Sequence, residues 1–568
     1  MTAPTPRTSD TAAEPLLAAL RRHAQTRGDR DAVRFLARGE AVTDRLTYAD
    51  MMTAVDETAA GLIVEGAAGR PVVLALGPGT RFVVTFLACL RAGAIAVTVP
   101  YPAVAANRER FVAVVADCRP FAVVCEAADE DLPGLPEGTR RLVAGALRRP
   151  VGALPPEPGA DALALVQYSS GSTRAPRGVV ITHGNIAAAE RMIQAAMRAD
   201  EDNVTVSWLP PFHDMGLIGS ILHPLYVGGV SVLMPPNAFL QKPMRWLRTI
   251  SDQRATIAGG PNFGFDLCVR RAPADGGTEG LDLSSWKVAF CGSEPVRAAT
   301  LRAFAGRFAE AGFDPAALMP CYGLAEATLL VSARLYGTGV AEFATVGTDT
   351  GAAPLSRVSC GVTPPGCTVR LRPIEGAEEA EAGEAPEIGE VCIGGAHIAL
   401  GTWSGADQAV APFEAAFTAE DGVRFLPTGD VGALAGGEIA IIDRIKDIVA
   451  VYGRKLHAVD VEDTVLSEPG TEVVAAAAFA VPVDGRESLA LLCEIRTRDL
   501  AALDRTARMA QLRDRVAQAH GVVPVVGLLT HGALPRTSSG KIQRQRTRAL
   551  FLGGELRIAA TTTAGAAA

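Results

Sequence analysis

At 568 residues the chain is longer than one hydrophobic core organises, so about three or four structural units are expected. Its composition, 48% hydrophobic and 20% charged, is that of a folded, water-facing protein, and a formal net charge of −8 argues against nucleic acid as its main partner. The opening MTAPTPRTSD lacks an apolar signal core, no run approaches the ~20 residues of a membrane helix, and the ten cysteines show no C-x-x-C spacing. A cytoplasmic protein with buried free thiols is the expectation.

Apolar helical periodicity over Leu16–Thr26 and Tyr48–Val64 alternates with β-like runs over Pro71–Leu76 and Ala94–Val99. This alternation persists for some 400 residues and predicts an α/β architecture of helix-covered sheets.

The first chemically suggestive stretch is YSSGSTRAPRG, Tyr168 to Gly178, between two apolar runs. A Walker A loop is excluded: Gly171 and Gly178 are seven apart, no Lys-Ser/Thr follows, and the next residues are β-like. The helix is predicted to start later, capped near Thr182 to Asn185, so the loop is a strand-turn-strand element. Its glycines let backbone N–H groups converge on an anion. Ser169, Ser170, Ser172 and Thr173 add hydroxyl donors, and Arg174 and Arg177 add charge. Taken alone, a solvated hairpin explains it equally well.

Further along, WLPPFHDMGLIG (Trp208 to Gly219) sets His213 and Asp214 in a proline-anchored apolar loop. A zinc role for His213 has no partner at the right spacing, and no G-x-S-x-G elbow supports a serine hydrolase. CYGLAEAT (Cys321 to Thr328) presents an aromatic, a glycine and then Glu326. The Glu/Gly/Pro-rich stretch from Arg372 to Glu390 reads as a solvated loop, and PTGDVG (Pro427 to Gly432) as a tight turn carrying Asp430. It is followed by DRIKDIV with Arg444 and Lys446. There the texture shortens, giving expected domains of 1–444 and 445–568. The apolar run Val473–Val483 suits a buried strand. RTSSGK (Arg536 to Lys541) is a second Ser/Gly loop, ending in a lysine. The tail, from about 555 to 568, is expected to be disordered. Each cluster singly is as well explained by capping or turn formation. Two Ser/Gly loops in different domains suggest a phosphate-bearing substrate held between them.

In order, these loops resemble the adenylate-forming superfamily of acyl-CoA synthetases, peptide-synthetase adenylation domains and luciferases. The resemblance spans roughly residues 15 to 550. It is greatest to the fatty acyl-AMP ligases, through SSGSTRAPRGV, SWLPPFHDMGLIG, GGPNFGFDLCVRR, CGSEPVRAATL, PCYGLAEATLLVS and VSCG.

The resemblance implies a large multi-subdomain N-terminal domain and a small mobile α+β C-terminal domain that swings about Lys446. It implies ATP and Mg2+ as cofactors. The loop of Ser169, Ser170, Gly171, Ser172, Thr173, Arg174, Arg177 and Gly178 would embrace the departing pyrophosphate. Tyr322, beside Gly323, would stack on adenine, with the Gly292, Ser293 and Glu294 backbone lining the same pocket. Glu326 would hold Mg2+, Asp430 the ribose hydroxyls, and Arg444 the ribose and phosphate. His213 would stand where the acid meets the α-phosphate, and Lys541 would bridge the two anions. The acyl chain is expected near Phe212, Met215 and Phe263 to Leu267.

The implied reaction is formation of acyl-AMP, then acyl transfer to the phosphopantetheine of an acyl carrier protein. Departures remain. Position 177 is Arg where Lys is usual, and GRKLHAVDVE (Gly453 to Glu462) is phrased differently. The segment Arg334 to Arg357, where these ligases carry an insertion that disfavours CoA, looks short. An acyl-CoA ligase, an activator of an unusual acid such as nitrite, and a catalytically silent homologue therefore stay open.

Overall fold

The computed structural model describes residues 13–169, 176–272, 278–345, 355–374, 387–419, 422–451, 454–468, 471–483, 486–537 and 540–562. Among them, two eight-stranded sheets build the large N-terminal part.

In the first sheet the spatial order is Leu330–Ala333, Leu318–Gly323, Val288–Cys291, Ile257–Gly260, Val204–Ser207, Val230–Leu233, Asp31–Phe35, Asp44–Thr47. Its inner pairings are parallel and both edges are antiparallel. The second sheet runs Ala409–Pro412, Gly401–Ser404, Arg177–Thr182, Leu163–Ser169, Ile95–Thr98, Pro71–Ala75, Ala122–Cys125, Arg140–Val143. Its parallel strands Pro71–Ala75, Ile95–Thr98 and Ala122–Cys125 are buried at every position, the pattern of a sheet covered on both faces. One apolar cluster, including Leu20, Val55, Phe86, Trp246, Trp286 and Phe304, joins the helices to both sheets.

Several sequence expectations meet their elements directly. Helices occupy Leu16–Thr26 and Tyr48–Val64. Leu163–Ser169 and Arg177–Thr182 form an antiparallel hairpin, and the following helix His183–Met197 starts with a reciprocal capping box between Thr182 and Asn185. All ten cysteines are free; Cys321 is half-buried and the others are buried. Among the described residues no helix is long and apolar enough to cross a membrane.

Three expectations are corrected. Asp430 does not lie in a tight turn: it belongs to the twelve-residue strand Arg424–Ala435. That strand pairs with Glu387–Gly395, and residues 427 to 431 bulge against Glu390 to Cys392. The Pro-Thr-Gly sequence makes the bulge, which re-aims Asp430 without ending the strand. The segment Arg372–Glu390 is likewise not all loop: Arg372 ends the strand Cys367–Arg372 and Glu387–Gly395 is already strand at Glu387, while 375–386 lie outside the described residues. The first part of the expected tail is ordered, while 563–568 lie outside the described residues. Ile558–Thr561 pairs with Val525–Thr530, and the Thr562 N–H donates to the Val526 carbonyl at 3.1 Å.

The smaller C-terminal domain is a four-stranded sheet ordered Val473–Val483, Arg486–Ile495, Val525–Thr530, Ile558–Thr561. Helices Ala458–Leu466 and Arg505–His520 cover one face through Val461, Val465, Leu512 and Val516. Helix Arg544–Leu552 covers the other, where Phe551 meets Phe479. These two clusters draw only on residues from Val449 onward, which motivates a domain boundary near 444/445.

Candidate active site

Parallel strands deliver their carboxyl ends to one edge of a sheet, and loops leaving that edge converge on a common crevice. In the first sheet, Val204–Ser207 leads to His213 and Asp214, Ile257–Gly260 to Asn262 and Phe263, Val288–Cys291 to Gly292, Ser293 and Glu294, and Leu318–Gly323 to Glu326. The backbone is strained there: Ser293 holds φ +70° and the buried, β-branched Thr328 holds φ +61°. Such conformations cost about 1–3 kcal/mol each and persist only where the surroundings enforce them. For Thr328 the enforcing contact is its hydroxyl donating to the His397 carbonyl at 2.7 Å. Gly323 allows the chain to pass the Leu329 carbonyl, which would lie 1.9 Å from a Cβ at 323.

The bulge brings Asp430 to this crevice. The Tyr322 hydroxyl donates to Asp430 Oδ2 at 2.7 Å, and Arg444 Nε to Oδ1 at 3.0 Å. Tyr322 is buried, and both burial and the Asp430 charge push its hydroxyl well above the ordinary phenol range. Arg444 is pushed up chiefly by Asp430. Glu326 sits in a one-turn helix, Ala325–Ala327. Its backbone carbonyl accepts from Ala399 N–H at 2.9 Å. Burial raises its carboxyl above the usual range, and the nearby charges of Asp214 and Asp430 add to that. Glu294 Oε1 accepts from the Phe263 N–H at 2.6 Å, at the start of the helix Asn262–Arg271.

Lys541 arrives from the small domain. Gly540 packs close to the Phe263 ring, and the Lys541 N–H donates to Thr537 Oγ1 at 3.1 Å. Burial holds the ammonium below the ordinary lysine range, opposed by the charges of Asp214, Glu294 and Asp430. His213 is lowered well below the usual imidazole range by burial, and the cations Arg110 and Lys541 lower it further. It is therefore a neutral imidazole at neutral pH. Lys446, in the one-turn helix Ile445–Asp447, is lowered first by burial and then by Arg444.

Of the hairpin loop, Ser170, Gly171, Ser172, Thr173 and Arg174 lie outside the described residues, as does the Ser169 side chain. Arg177 and Gly178 are described. Arg177 is exposed at the start of its strand, and Gly178 is required by packing: a Cβ would stand 2.6 Å from Val166 Cγ1 and 2.9 Å from Tyr168 Cζ.

Two residues that sequence reading did not place in the site belong to it by position. Asp214, desolvated beside Lys541, has its carboxyl raised by burial. Arg110 donates to the Tyr168 carbonyl at 2.9 Å at the root of the hairpin, and burial lowers its guanidinium to about 10. Asp214 was adjacent to a residue already singled out. Arg110 lies in a helix, Arg108–Cys118, with no motif to mark it.

The AMP-binding enzyme family matches residues 20–403. This chain belongs to that family. Among its relatives is the medium-chain-fatty-acid–[acyl-carrier-protein] ligase JamA of Moorena producens, 33% identical over 95% of this chain and 96% of that protein. Another is the long-chain-fatty-acid–AMP ligase FadD26 of Mycobacterium marinum, 34% identical over 89% of this chain and 90% of that one. A solved structure from work on fatty acyl-adenylate ligases of E. coli and L. pneumophila superposes with a TM-score of 0.80, at 30% identity over 96% of this chain and 98% of the other. The L. pneumophila fatty acyl-adenylate ligase in complex with acyl adenylate and pyrophosphate superposes with a TM-score of 0.68, at 30% identity over 96% and 97%. In this AMP-binding enzyme the crevice at the carboxyl edge of the first sheet, closed by Lys541, is the candidate active site.

Proposed function

We propose that the protein activates a fatty acid with ATP to acyl-AMP, releasing pyrophosphate, and then passes the acyl group to the phosphopantetheine thiol of an acyl carrier protein in the cytoplasm. The observation that carries this reading is the convergence of Lys541 with Asp214, Glu326, Asp430 and Arg444 in one desolvated crevice. It is supported by the relatives, among them the medium-chain-fatty-acid–[acyl-carrier-protein] ligase JamA.

The chemistry asks for that arrangement. A carboxylate cannot expel oxide, so its oxygen attacks the α-phosphorus of ATP, the bond to the pyrophosphate oxygen breaks, and a mixed anhydride forms. Two anions must meet, so the site has to neutralise charge and hold them in line. Lys541 supplies a desolvated cation between them, and Arg444 a second one beside the ribose and phosphate. Neutral His213 can approach the acid's carboxylate as a hydrogen-bond donor. Asp430, with Tyr322 fixing one oxygen, can accept from ribose hydroxyls. The adenine would lie against the Tyr322 ring and the 292–294 backbone, and Arg177 would reach the departing phosphates.

The donor set fits Mg2+. Glu326 is a desolvated carboxylate near Asp214 and Asp430, and among the described residues no three-residue metal cluster exists. A metal held by one carboxylate, substrate phosphates and water is the arrangement Mg2+ adopts. When bound it would supply charge neutralisation at the phosphates.

ATP–pyrophosphate exchange against acids of graded chain length, followed by mass spectrometry of a carrier protein or CoA offered as acceptor, tests the reading. Acid-dependent exchange with loading of the carrier is the expected result. Loading of CoA alone makes it an acyl-CoA ligase, and no exchange with any acid overturns the reading.

A further inference from the structure

The acidic side chains of the helix Ala458–Leu466 point two ways, toward the large domain and toward Arg544, three residues beyond Lys541. Toward the large domain, Asp463 Oδ1 accepts from Arg297 Nε at 2.7 Å, and the two Asp460 oxygens accept from Arg357 Nη1 and Nη2 at 2.5 and 2.7 Å. Asp460 and Asp463 are three apart, so they share a face of the helix. In the other direction Glu462 accepts two bonds from Arg544, each at 2.6 Å, from Nε and Nη2. Arg544 follows Lys541 by three residues, and its Nη1 also reaches Asp447, next to Lys446, at 3.2 Å.

The anchor on the large domain is itself part of the crevice. The Arg297 backbone N–H donates to Asn262 Oδ1 at 3.0 Å, and the neighbouring Phe263 both caps against Glu294 and packs on Gly540. Arg297 is thus tied to both sides of the crevice wall that Lys541 enters. Its ion pair with Asp463 is only one-third exposed on each partner, where screening by water is reduced.

We propose that the helix Ala458–Leu466 is a strut, and that Arg297, Asp463, Glu462 and Arg544 are positioning residues that set the Lys541 ammonium between the two reacting anions. None of them touches a reacting atom; they act through Lys541. Because the gain from a preorganised charge depends on its placement, a shift of about 1 Å in the lysine can cost ~100-fold in rate. The proposal rests on the adenylation reading.

The test is acid-dependent pyrophosphate exchange by the full-length chain, using ATP and the best acid of the graded-length panel. Arg297→Ala is expected to lower kcat about tenfold with the KM for ATP within about twofold, Arg297→Lys to recover most of the loss, and the swap Arg297→Asp with Asp463→Arg to restore kcat to within about threefold. In a Lys541→Ala background, Arg297→Ala should cost less than about twofold, because the group it positions is gone. An equal tenfold loss in that background, a failed swap in a folded double variant, or an Arg297→Ala chain that exchanges normally overturns the strut while leaving the adenylation reading intact. A wild-type chain with no exchange overturns both.

Discussion

Tyr322 and Asp430, 108 residues apart in the chain, are joined by a buried hydrogen bond of 2.7 Å from the tyrosine hydroxyl to the carboxylate. Arg444 holds the other oxygen, so the side chain expected to meet the ribose is fixed from two sides. Tyr322→Phe keeps the ring and removes one of these partners. It should lower stability by about 1–2 kcal/mol in thermal unfolding and raise the KM for ATP severalfold. Unchanged values in both would mean that Arg444 alone orients Asp430.

Lys541→Ala should reduce the adenylation rate about 100-fold or more, the size of effect seen when a key electrostatic donor is lost. ATP affinity, measured by calorimetry, should change far less. Near-normal pyrophosphate exchange would remove Lys541 from the mechanism.

Burial disfavours the charged form of Lys541, so its proton leaves at lower pH than from an ordinary lysine. The adenylation kcat/KM should therefore fall on the alkaline side before pH reaches the usual lysine range. Lys541→Arg should show a lower plateau but shift that limb upward, since guanidinium stays protonated. A limb that stays in place in the arginine variant would have to come from another group.

Asp443, next to Arg444, is raised to about 7, chiefly by burial. A carboxyl whose folded pKa exceeds its unfolded one contributes stability that is full below the unfolded value, ~3.9, and lost as pH rises through the folded one. Asp443→Asn mimics the protonated form. The melting temperature of the variant relative to wild type should accordingly rise between about pH 4 and pH 7 and level off above that; a constant difference over this range would contradict the shift.

Gly323→Ala would press a methyl group into the Leu329 carbonyl. The bulge pairing Gly323 with Leu330 would have to move, at a cost of about 1–3 kcal/mol, and the displaced Tyr322 should weaken ATP binding. Melting and KM measured on the same preparation check the two effects together.

Much of the architecture was legible in the residues. The helices Leu16–Thr26 and Tyr48–Val64, the hairpin around Tyr168 to Gly178 and the cap at Thr182 follow from apolar period, β-branched runs and capping chemistry, all of which act over a few residues. Ordered motifs also marked Tyr322, Glu326, Asp430 and Lys541 as one set. Local pattern misjudged Asp430, because Pro-Thr-Gly reads the same in a turn as in a strand bulge. Only the partner strand Glu387–Gly395 distinguishes them.

Other features had no local signal at all. Arg110 reaches the hairpin from a plain helix, and Arg297 meets Asp463 166 residues away. The sequence by itself determined which side chains could bear charge and which segments would fold locally. Tertiary structure decided which charges lose water together and which partners they then acquire. Desolvation and ion pairing depend on distance in space, and the chain order carries no measure of it.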